Sequence, residues 1–401
     1  MIVFAGLDWD SKQCVAHVEV GERTLRANVL RDPGSVRAFV DGLGDAECVA
    51  CMETGDAAQL SLWRQAGVTV YEVDAKKAAH FARSLKSSGA SSDKRSAEVL
   101  CRMAASSAHR DDAIAAASAA EASLMRLLKA ADLAGRDVVR HGNQLRDHLR
   151  QVHPALALQI GNIKAGWVIR LVEAAPTAAA WNALACSEQE GLLRGSRLAR
   201  RSELVAACGT DWNIVPPELE PAVRLQAELM VAALGAAVER QRTARKALDA
   251  QVAEHEFAAT LGETRGLGPV LVAGSICALE ATGDASNRDR YAVATGCAPV
   301  TVASGEQGRR KPLVKMRRSA SRILRKTAHL TGVQLVSRYR FARAQFSWYR
   351  GRGKPAAHAF RCISRSWGRI LHAMKRDGTP FDEERYIAAV KQQKVTWAEA
   401  L

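Results

Sequence analysis

The sequence lacks any uninterrupted apolar run of about twenty residues, which is the length that a membrane-spanning helix needs. Its first residues, MIVFAGLDWDSK, place an acid where a signal peptide needs its apolar stretch. We therefore expect a chain that is neither inserted in a membrane nor exported, and that works in the cytoplasm.

Paired cysteines are also lacking, because the nine cysteines are an odd number and only Cys48 and Cys51, in ECVACMET, stand close together. No second Cys or His pair follows at the short spacing that a finger-type zinc site requires. We therefore expect Cys48 and Cys51 to be two buried small residues at the end of a strand. This usage is typical of a reducing compartment.

Acidic residues are nearly absent from one long segment, residues 305–376, which has 20 Lys and Arg and a single acid, Glu306. The whole chain has a net charge of +15, so the remainder is slightly acidic. Such a concentration of positive charge favours a polyanionic partner, most commonly nucleic acid, although a ribosome-like or membrane surface also fits. One part of the molecule is predicted to hold the polyanion while the other parts have another task.

A chain of 401 residues is too long for one ordinary core, so we expect two or three domains. Residues 1–110 predict an α/β domain. The apolar run IVFAGL indicates a strand buried on both faces, and CVAHVEV, TLRANVL, ECVACM and VTVYEVD follow as further strands. With a helix at Ala57–Ala66, this order is that of a ribonuclease-H-like sheet, although several α/β folds begin in the same way.

Residues 111–258 predict a long helical middle region. Apolar residues recur every seven positions up to a stop at Pro154, and a second long helix is predicted from near Pro221. The region is either a helical spacer or a coiled-coil dimerisation arm. The heptad positions are Leu124, Ala131, Val138, Leu145 and Val152.

Residues 259–401 predict a third, mainly helical and basic domain. It opens with a glycine turn at Gly266 and Gly268, followed by an amphipathic helix. The start of that helix either holds a phosphate with its free N–H groups or is an ordinary turn before a core helix.

Acids at the ends of two strands and one helix suggest a metal site. Asp8 closes the first strand, Glu53 ends ECVACM, and Asp93 stands where a Ser/Gly-rich loop becomes a helix. Hard carboxylate oxygens suit Mg²⁺, which can polarise a phosphodiester. Each acid also has a plain interpretation, since Asp93 can be a helix N-cap and Glu53 a solvated strand end.

Three stretches together resemble the transposases of the bacterial insertion-sequence group called one-ten, with its eleven-eleven branch and the pilin-gene invertases. They are AGLDWDSKQ, CMETGDAAQLSLWRQAGVTVYEVDAKKAAHFARSL, and TRGLGPVLVAGSICALEATGDASNRDRYAVATGCAPVTVASGEQGRRK. The resemblance covers nearly the whole chain. It implies a RuvC-like N-terminal domain with four acids, a coiled-coil middle, and a C-terminal transposase domain with a catalytic serine.

The resemblance also assigns individual residues. Asp8, Glu53 and Asp93 correspond to the first three acids, which would bind Mg²⁺ or Mn²⁺. Ser96 stands where the family has the fourth acid, and Glu98, about 140° around the helix from Asp93, is a poor substitute. Ser304 corresponds to the nucleophilic serine, which would form a serine–phosphate bond with DNA.

Nine basic residues are predicted to contact nucleic acid. Arg309, Arg310 and Lys311 follow the serine and could hold phosphate oxygens, because guanidinium groups make bidentate contacts. The aromatic residues among the later arginines could stack on bases, but several recur at helical spacing and are more typical of a core. The other basic residues are Lys315, Arg317, Arg318, Arg350, Arg352 and Lys354.

The expected partners are the DNA of the element ends and of the target. The resemblance further implies an element-encoded guide RNA, a homodimer or tetramer that assembles the site between protomers, no membrane, and a bacterial, nucleoid-associated location. Two other functions fit the residues. One is a RuvC-like nuclease that uses water, and the other is a catalytically decayed nucleic-acid-binding protein, which Ser96 favours.

Overall fold

A computed structural model describes most of the chain and divides it into two compact units, residues 1–125 with 252–401, and residues 126–251. The three-domain division made from the sequence stays a prediction. The described residues are 1–10, 12–53, 57–73, 75–85, 92–106, 114–115, 119–196, 201–209, 215–280, 289–302, 313–316 and 320–401.

The N-terminal part is built on a mixed sheet in the order β3-β2-β1-β4-β5-β6. The central strand, β1, runs antiparallel to β2 and parallel to β4. This arrangement confirms the expected α/β architecture. The strands are β1 (Ile2–Trp9), β2 (Gln13–Val20), β3 (Arg23–Leu30), β4 (Glu47–Glu53), β5 (Thr69–Val73) and the two-residue β6 (Ile114–Ala115).

Helices cover both faces of this sheet. Because side chains alternate along a strand, Val3, Ala5 and Leu7 of β1 enter one core, and Phe4 packs against another on the opposite face. The first core also takes Trp63, and the second takes Leu100 and residues around it. The helices of this part are α1 (Pro33–Asp41), α2 (Ala57–Gln65), α3 (Ala75–Leu85) and α4 (Asp93–Ala105).

Helix α4 lies directly on β1, and Gly6 permits the close approach. A Cβ atom at Gly6 would stand 1.8 Å from the carbonyl oxygen of Ala97 and 2.3 Å from the backbone nitrogen of Cys101. No side chain can occupy that space. The absence of a side chain at Gly6 therefore sets the position of α4 over the middle of the sheet.

The second unit is helical and has a core of its own. Leu145, Leu149, Trp181 and Leu234 are among its fully buried side chains. The first of its helices begins before this unit, and the last ends just after it. The helices are α5 (Ala119–Val152), α6 (Pro154–Gln159), α7 (Gly166–Ala174), α8 (Ala178–Asn182), α9 (Cys186–Leu192), α10 (Arg201–Gly209) and α11 (Glu220–Ala253).

The two long helices have the extents that the sequence led us to expect, with one difference at Pro154. The five heptad positions of α5 are all buried, so they form its inward face. Pro154 does end α5, but it also begins α6, because proline is well suited to the first position of a helix, where its missing N–H is not needed.

The C-terminal part is mainly helical, with one small antiparallel hairpin, β7 (Pro299–Val302) and β8 (Leu313–Met316). A core of helices surrounds α15 and α17, and Ser364 in α17 donates a hydrogen bond to the carbonyl oxygen of Ala328 in α15. The helices are α12 (Glu256–Gly262), α13 (Pro269–Glu280), α14 (Arg290–Ala294), α15 (Arg322–Arg338), α16 (Arg340–Gly351), α17 (Ala356–Asp377) and α18 (Glu383–Gln392), and a 3₁₀ turn, Thr396–Ala400, follows.

The expectation of an amphipathic helix after the glycine turn was wrong. Gly266 does adopt a left-handed backbone (φ +85°), as a tight turn requires. However, α13 is buried on every side, from Leu271 through Leu279. Gly274 allows this, because its backbone packs against the side chain of Thr327 in α15. The body of α13 is therefore a core helix, and a phosphate-binding role of its exposed start stays a prediction.

By length and composition alone, one helix among the described residues, α11, could cross a membrane. A core helix of a soluble protein passes the same test, and one side of α11 enters the helical core through Ala227, Val231, Leu234 and Ala237.

Candidate active site and nucleic-acid interface

The first two acids meet because of the register between two parallel strands. Leu7 of β1 pairs with Met52 of β4, so Asp8 and Glu53 are the next residues on each strand, at the same edge of the sheet. Leu7 and Met52 both point into the core on the opposite face. Side-chain alternation therefore places both carboxylates on the face that α4 covers.

The N-terminus of α4 brings the third acid and Ser96 to the same place. Ser92 caps this helix, accepting a hydrogen bond from the backbone N–H of Arg95. Asp93 is thus the first helical residue and not the N-cap, so the capping interpretation of Asp93 was wrong. One turn later, the hydroxyl of Ser96 hydrogen-bonds to the Asp8 carboxylate.

The pKa of Asp8 reflects burial and neighbouring charges at this edge of the sheet. The pKa of Asp8 is raised to about 6, first by burial and then by the charges of Asp93 and Glu53, in that order of importance. The hydrogen bond from Ser96 acts in the opposite direction because it stabilises the ionised form. The structure therefore brings together all four residues that the sequence assigned to the metal site.

Two neighbouring acids bond to partners outside this cluster, although the charge of Asp10 adds slightly to the raised pKa of Asp8. Glu98 forms an ion pair with Arg102 one turn along α4, with 2.9 Å between Oε1 and the guanidinium, which agrees with its expected direction away from Asp93. Asp10 is exposed and accepts hydrogen bonds from the backbone N–H groups of Lys12 and Gln13, which lower the pKa of its carboxyl. It orders the turn into β2.

A second cluster on the same face was missed in the sequence. The ligand atoms of His17, Glu19 and Cys101 all lie within 4.8 Å of one another. His17 and Glu19 alternate along β2, but Cys101 is distant in sequence and belongs to α4. In the sequence, the alternation in CVAHVEV indicates only that His17 and Glu19 share one face of a strand. It does not indicate that α4 packs on that face.

Most residues of the predicted phosphate-holding segment lie outside the described residues. Ser304, Arg309, Arg310 and Lys311 belong to the connection between β7 and β8, and Arg317 and Arg318 follow β8. Lys315 lies in β8, where its backbone pairs with Val300.

The last three predicted contacts stand together in an exposed turn between α16 and α17. The guanidinium of Arg352 lies 4.0 Å from the centre of the Trp348 ring, and Arg350 donates a hydrogen bond to the carbonyl oxygen of Lys354 at 2.7 Å. All three basic side chains are exposed. The turn thus presents an ordered group of cations to solvent, which suits contact with phosphates.

Several aromatic residues of the basic segment belong to the core instead. Tyr339, Phe341 and Trp367 are buried, and the first of these accepts a hydrogen bond from the backbone N–H of Arg265 at 2.7 Å. All three rings pack edge to face on Phe381, and Tyr339 also contacts Phe341 with the two rings tilted. The stacking of bases on these three rings is therefore excluded, as helical spacing had indicated for Trp367.

A family model described as transposase, of the DEDD class of the IS110 insertion-sequence group, matches residues 5–154. The matched segment contains β1 to β5, α4 and all four residues of the carboxylate cluster. This N-terminal region belongs to the IS110-group transposases. No curated protein matches the chain. Transposases act on DNA, and the positive charge of residues 305–376 agrees with such a partner.

Proposed function

We propose that the transposase cuts and rejoins DNA at a site to which a RuvC-like N-terminal domain supplies carboxylates and the C-terminal part supplies the nucleophile, Ser304. The observation that carries this proposal is the meeting of Asp8 with Glu53, Asp93 and Ser96 at one edge of the sheet. The mutual repulsion of three carboxylates at one edge works against folding, so their convergence favours a site for a cation.

The chemistry of the four side chains fits a hard divalent cation. The donors are all oxygens, which Mg²⁺ and Mn²⁺ prefer. The pKa of Asp8 is raised first by burial and then by the charges of Asp93 and Glu53, and a cation would offset both effects. Asp8, Glu53, Asp93 and Ser96 would hold the ion. When bound, such an ion polarises the scissile phosphate and stabilises the oxygens of the bond that is cut.

Ser304 is proposed to attack the phosphate. Its hydroxyl oxygen forms a bond to phosphorus, the phosphorus–oxygen bond of the DNA strand breaks, and the released strand end keeps that oxygen. The hydroxyl proton passes to a neighbouring base, since serine is a weak nucleophile without one. Arg309, Arg310 and Lys311 would bind the phosphate oxygens. The serine–phosphate bond retains the energy of the broken link, so a second strand end can displace Ser304.

The test is a covalent protein–DNA adduct on a denaturing gel, formed with DNA of the element ends in the presence of Mg²⁺. Ser304→Ala should abolish the adduct, and Asp8→Asn should abolish both adduct and cleavage. Ser337→Ala is the matched control, because Ser337 is an exposed serine of α15 whose hydroxyl bonds only to the Gln334 carbonyl. Cleavage that persists in Ser304→Ala but not in Asp8→Asn would establish a nuclease that uses water.

Ser96 in place of the fourth acid supports a second candidate, a transposase that has lost catalysis and only binds nucleic acid. The variant Ser96→Asp distinguishes this candidate from the active transposase. If the wild-type protein neither forms the adduct nor cuts, whereas Ser96→Asp does, the wild-type chain is a decayed binder with an intact scaffold. If the wild-type protein is active, the hydroxyl is sufficient.

The proposed site needs two protomers if the acids and Ser304 come from different chains, and α11 offers a surface for pairing. On its exposed side apolar residues recur at alternating intervals of three and four, the spacing of a coiled-coil seam. Leu225 and Leu229, at its centre, are 57% and 63% exposed. The members of this seam are Ala222, Leu225, Leu229, Ala232 and Ala236.

Light scattering after size exclusion tests the pairing. Leu225→Glu with Leu229→Glu should convert a dimer or tetramer to smaller species. Leu158→Glu, at an exposed leucine of α6 outside the seam, should not. An unchanged molar mass in the double variant would remove α11 as the pairing surface.

The guide RNA and the location in the bacterial cytoplasm near the nucleoid are proposed on the same basis. A segment with 20 Lys and Arg binds RNA as readily as DNA through counterion release. RNA that copurifies with the wild-type protein and maps to the flank of its gene would support guidance. Cleavage of the correct DNA site by protein freed of RNA would contradict it.

A further inference from the structure

The His17 cluster, which consists of His17, Glu19 and Cys101, lies on the face of the sheet that α4 covers. Gly6 pairs with His17 and Phe4 with Glu19 across β1 and β2, so the two β2 side chains stand beside the strand on which α4 rests. Because α4 approaches so closely at Gly6, the thiol of Cys101 reaches them. Three different metal-ligand types therefore converge from two elements.

The separation between His17 and Glu19 is that of two ligands on one ion. Nε2 of His17 and Oε1 of Glu19 are 3.6 Å apart, beyond the range of about 2.7–3.2 Å for a hydrogen bond. Two ligand atoms of a tetrahedral Zn²⁺, each at about 2.0–2.2 Å from the metal, are ~3.4 Å apart. The two atoms are thus too far apart for a hydrogen bond, and the distance between them is close to the one that a bound ion would impose.

One side of the His17 cluster is buried, and the other side is accessible to solvent. The side chain of His17 is 3% exposed and Cys101 is fully buried, whereas the side chain of Glu19 is 38% exposed. A cation can therefore enter from the side of Glu19, and a water molecule can complete a fourth position there. Thiolate and imidazole favour Zn²⁺ over Mg²⁺.

Two hydrogen bonds of these residues must change when a metal binds. Nε of Arg26 donates a hydrogen bond to Nδ1 of His17 at 3.1 Å, and Sγ of Cys101 donates one to the carbonyl oxygen of Phe4 at 3.1 Å. Metal at Nε2 puts the imidazole proton on Nδ1, so Arg26 must turn away. Arg26 is exposed on β3 and has room to do so.

We propose that His17, Glu19 and Cys101 bind a Zn²⁺ ion that fastens α4 to β2. The ion replaces the thiol proton of Cys101, which goes to solvent, and no electrons are transferred. This site is separate from the carboxylate cluster. Eight residues of α4, about 12 Å, separate Cys101 from Asp93. By fixing α4 on the sheet, the ion would hold Asp93 and Ser96 in position beside Asp8.

Cobalt substitution of the untagged full-length protein tests this directly. After removal of metals with a chelator, Co²⁺ is titrated and the thiolate-to-cobalt absorption band is followed, and Zn²⁺ is then used to displace it. The wild-type protein should bind one equivalent with the band. Cys101→Ser should lose the band and weaken binding by about 100-fold or more. Cys186→Ser, at the exposed cysteine of α9, should behave as wild type.

Three further variants make the result decisive. Glu19→Gln removes the ligand that is partly exposed, so it should fold normally, as circular dichroism would show, and bind Zn²⁺ more weakly. Arg26→Ala should bind at least as tightly as wild type, because the competing hydrogen bond is gone. Asp8→Asn should retain the band, which keeps this test independent of the carboxylate site. A wild-type protein without the band, or a band that survives in Cys101→Ser, overturns the proposal.

Discussion

Replacing Asp8 by Asn should stabilise the protein in the absence of divalent metal. In the folded chain the Asp8 carboxylate is partly buried and lies beside Asp93 and Glu53, which raises its pKa from 3.8 to about 6. The shift of about two units is equivalent to at most ~3 kcal/mol at neutral pH. Because the carboxyl keeps some contact with solvent, screening reduces this to about 1–2 kcal/mol. Asn keeps the shape and the hydrogen bond from Ser96 but not the charge.

The sign of the pH dependence follows from the same shift. Between pH 3.8 and about 6 the folded state holds a proton on Asp8 that the unfolded chain has lost, so this contribution to stability is present at low pH and is lost as the pH rises through 6. The advantage of Asp8→Asn should therefore be full near pH 8 and should shrink towards pH 4.

Denaturant titrations of both proteins at pH 8, 6 and 5, in the presence of a chelator, measure this difference. Asp10→Asn is the matched control two residues away. Backbone hydrogen bonds lower the pKa of Asp10, so its replacement should reduce stability slightly at pH 8. An Asp8→Asn protein that is less stable than wild type at pH 8, or an advantage that does not depend on pH, would refute the reasoning.

Three other substitutions test the surroundings of the site and the C-terminal core. Gly6→Ala forces a methyl group into the backbone of α4 and should cost at least ~3 kcal/mol of unfolding free energy, whereas Gly161→Ala, where no atom lies within 4 Å, should be tolerated. Ser96→Asp should raise Mg²⁺ affinity, measured by calorimetry, while lowering metal-free stability, because it adds a fourth negative charge; an unchanged affinity would place Ser96 outside the metal site. Asp289→Asn should destabilise the protein by ~1 kcal/mol at pH 7, since Arg369 and Arg365 lower the pKa of Asp289, and the loss should disappear as acid protonates the wild-type carboxyl; an equal loss at pH 2 would contradict this.

Local patterns identified the carboxylate edge correctly. The apolar run before Asp8 and the one before Glu53 predicted two buried strands, and acids that follow parallel strands share an edge of the sheet. The helical angle also predicted that Glu98 would point elsewhere. These inferences concern residues within one element or one pair of strands, where spacing alone determines direction.

The sequence by itself determined the first five strands of the N-terminal sheet, the two long helices, the separation of charge and the position of Asp8 and Glu53 at the ends of their strands. Only the tertiary structure decided that Cys101 meets His17 and Glu19, that Ser92 and not Asp93 caps α4, and that α13 is buried on every side. The reason is physical. Spacing along the chain decides which side chains share a face, whereas the meeting of faces depends on close packing, such as that of α4 on Gly6, which no local pattern encodes.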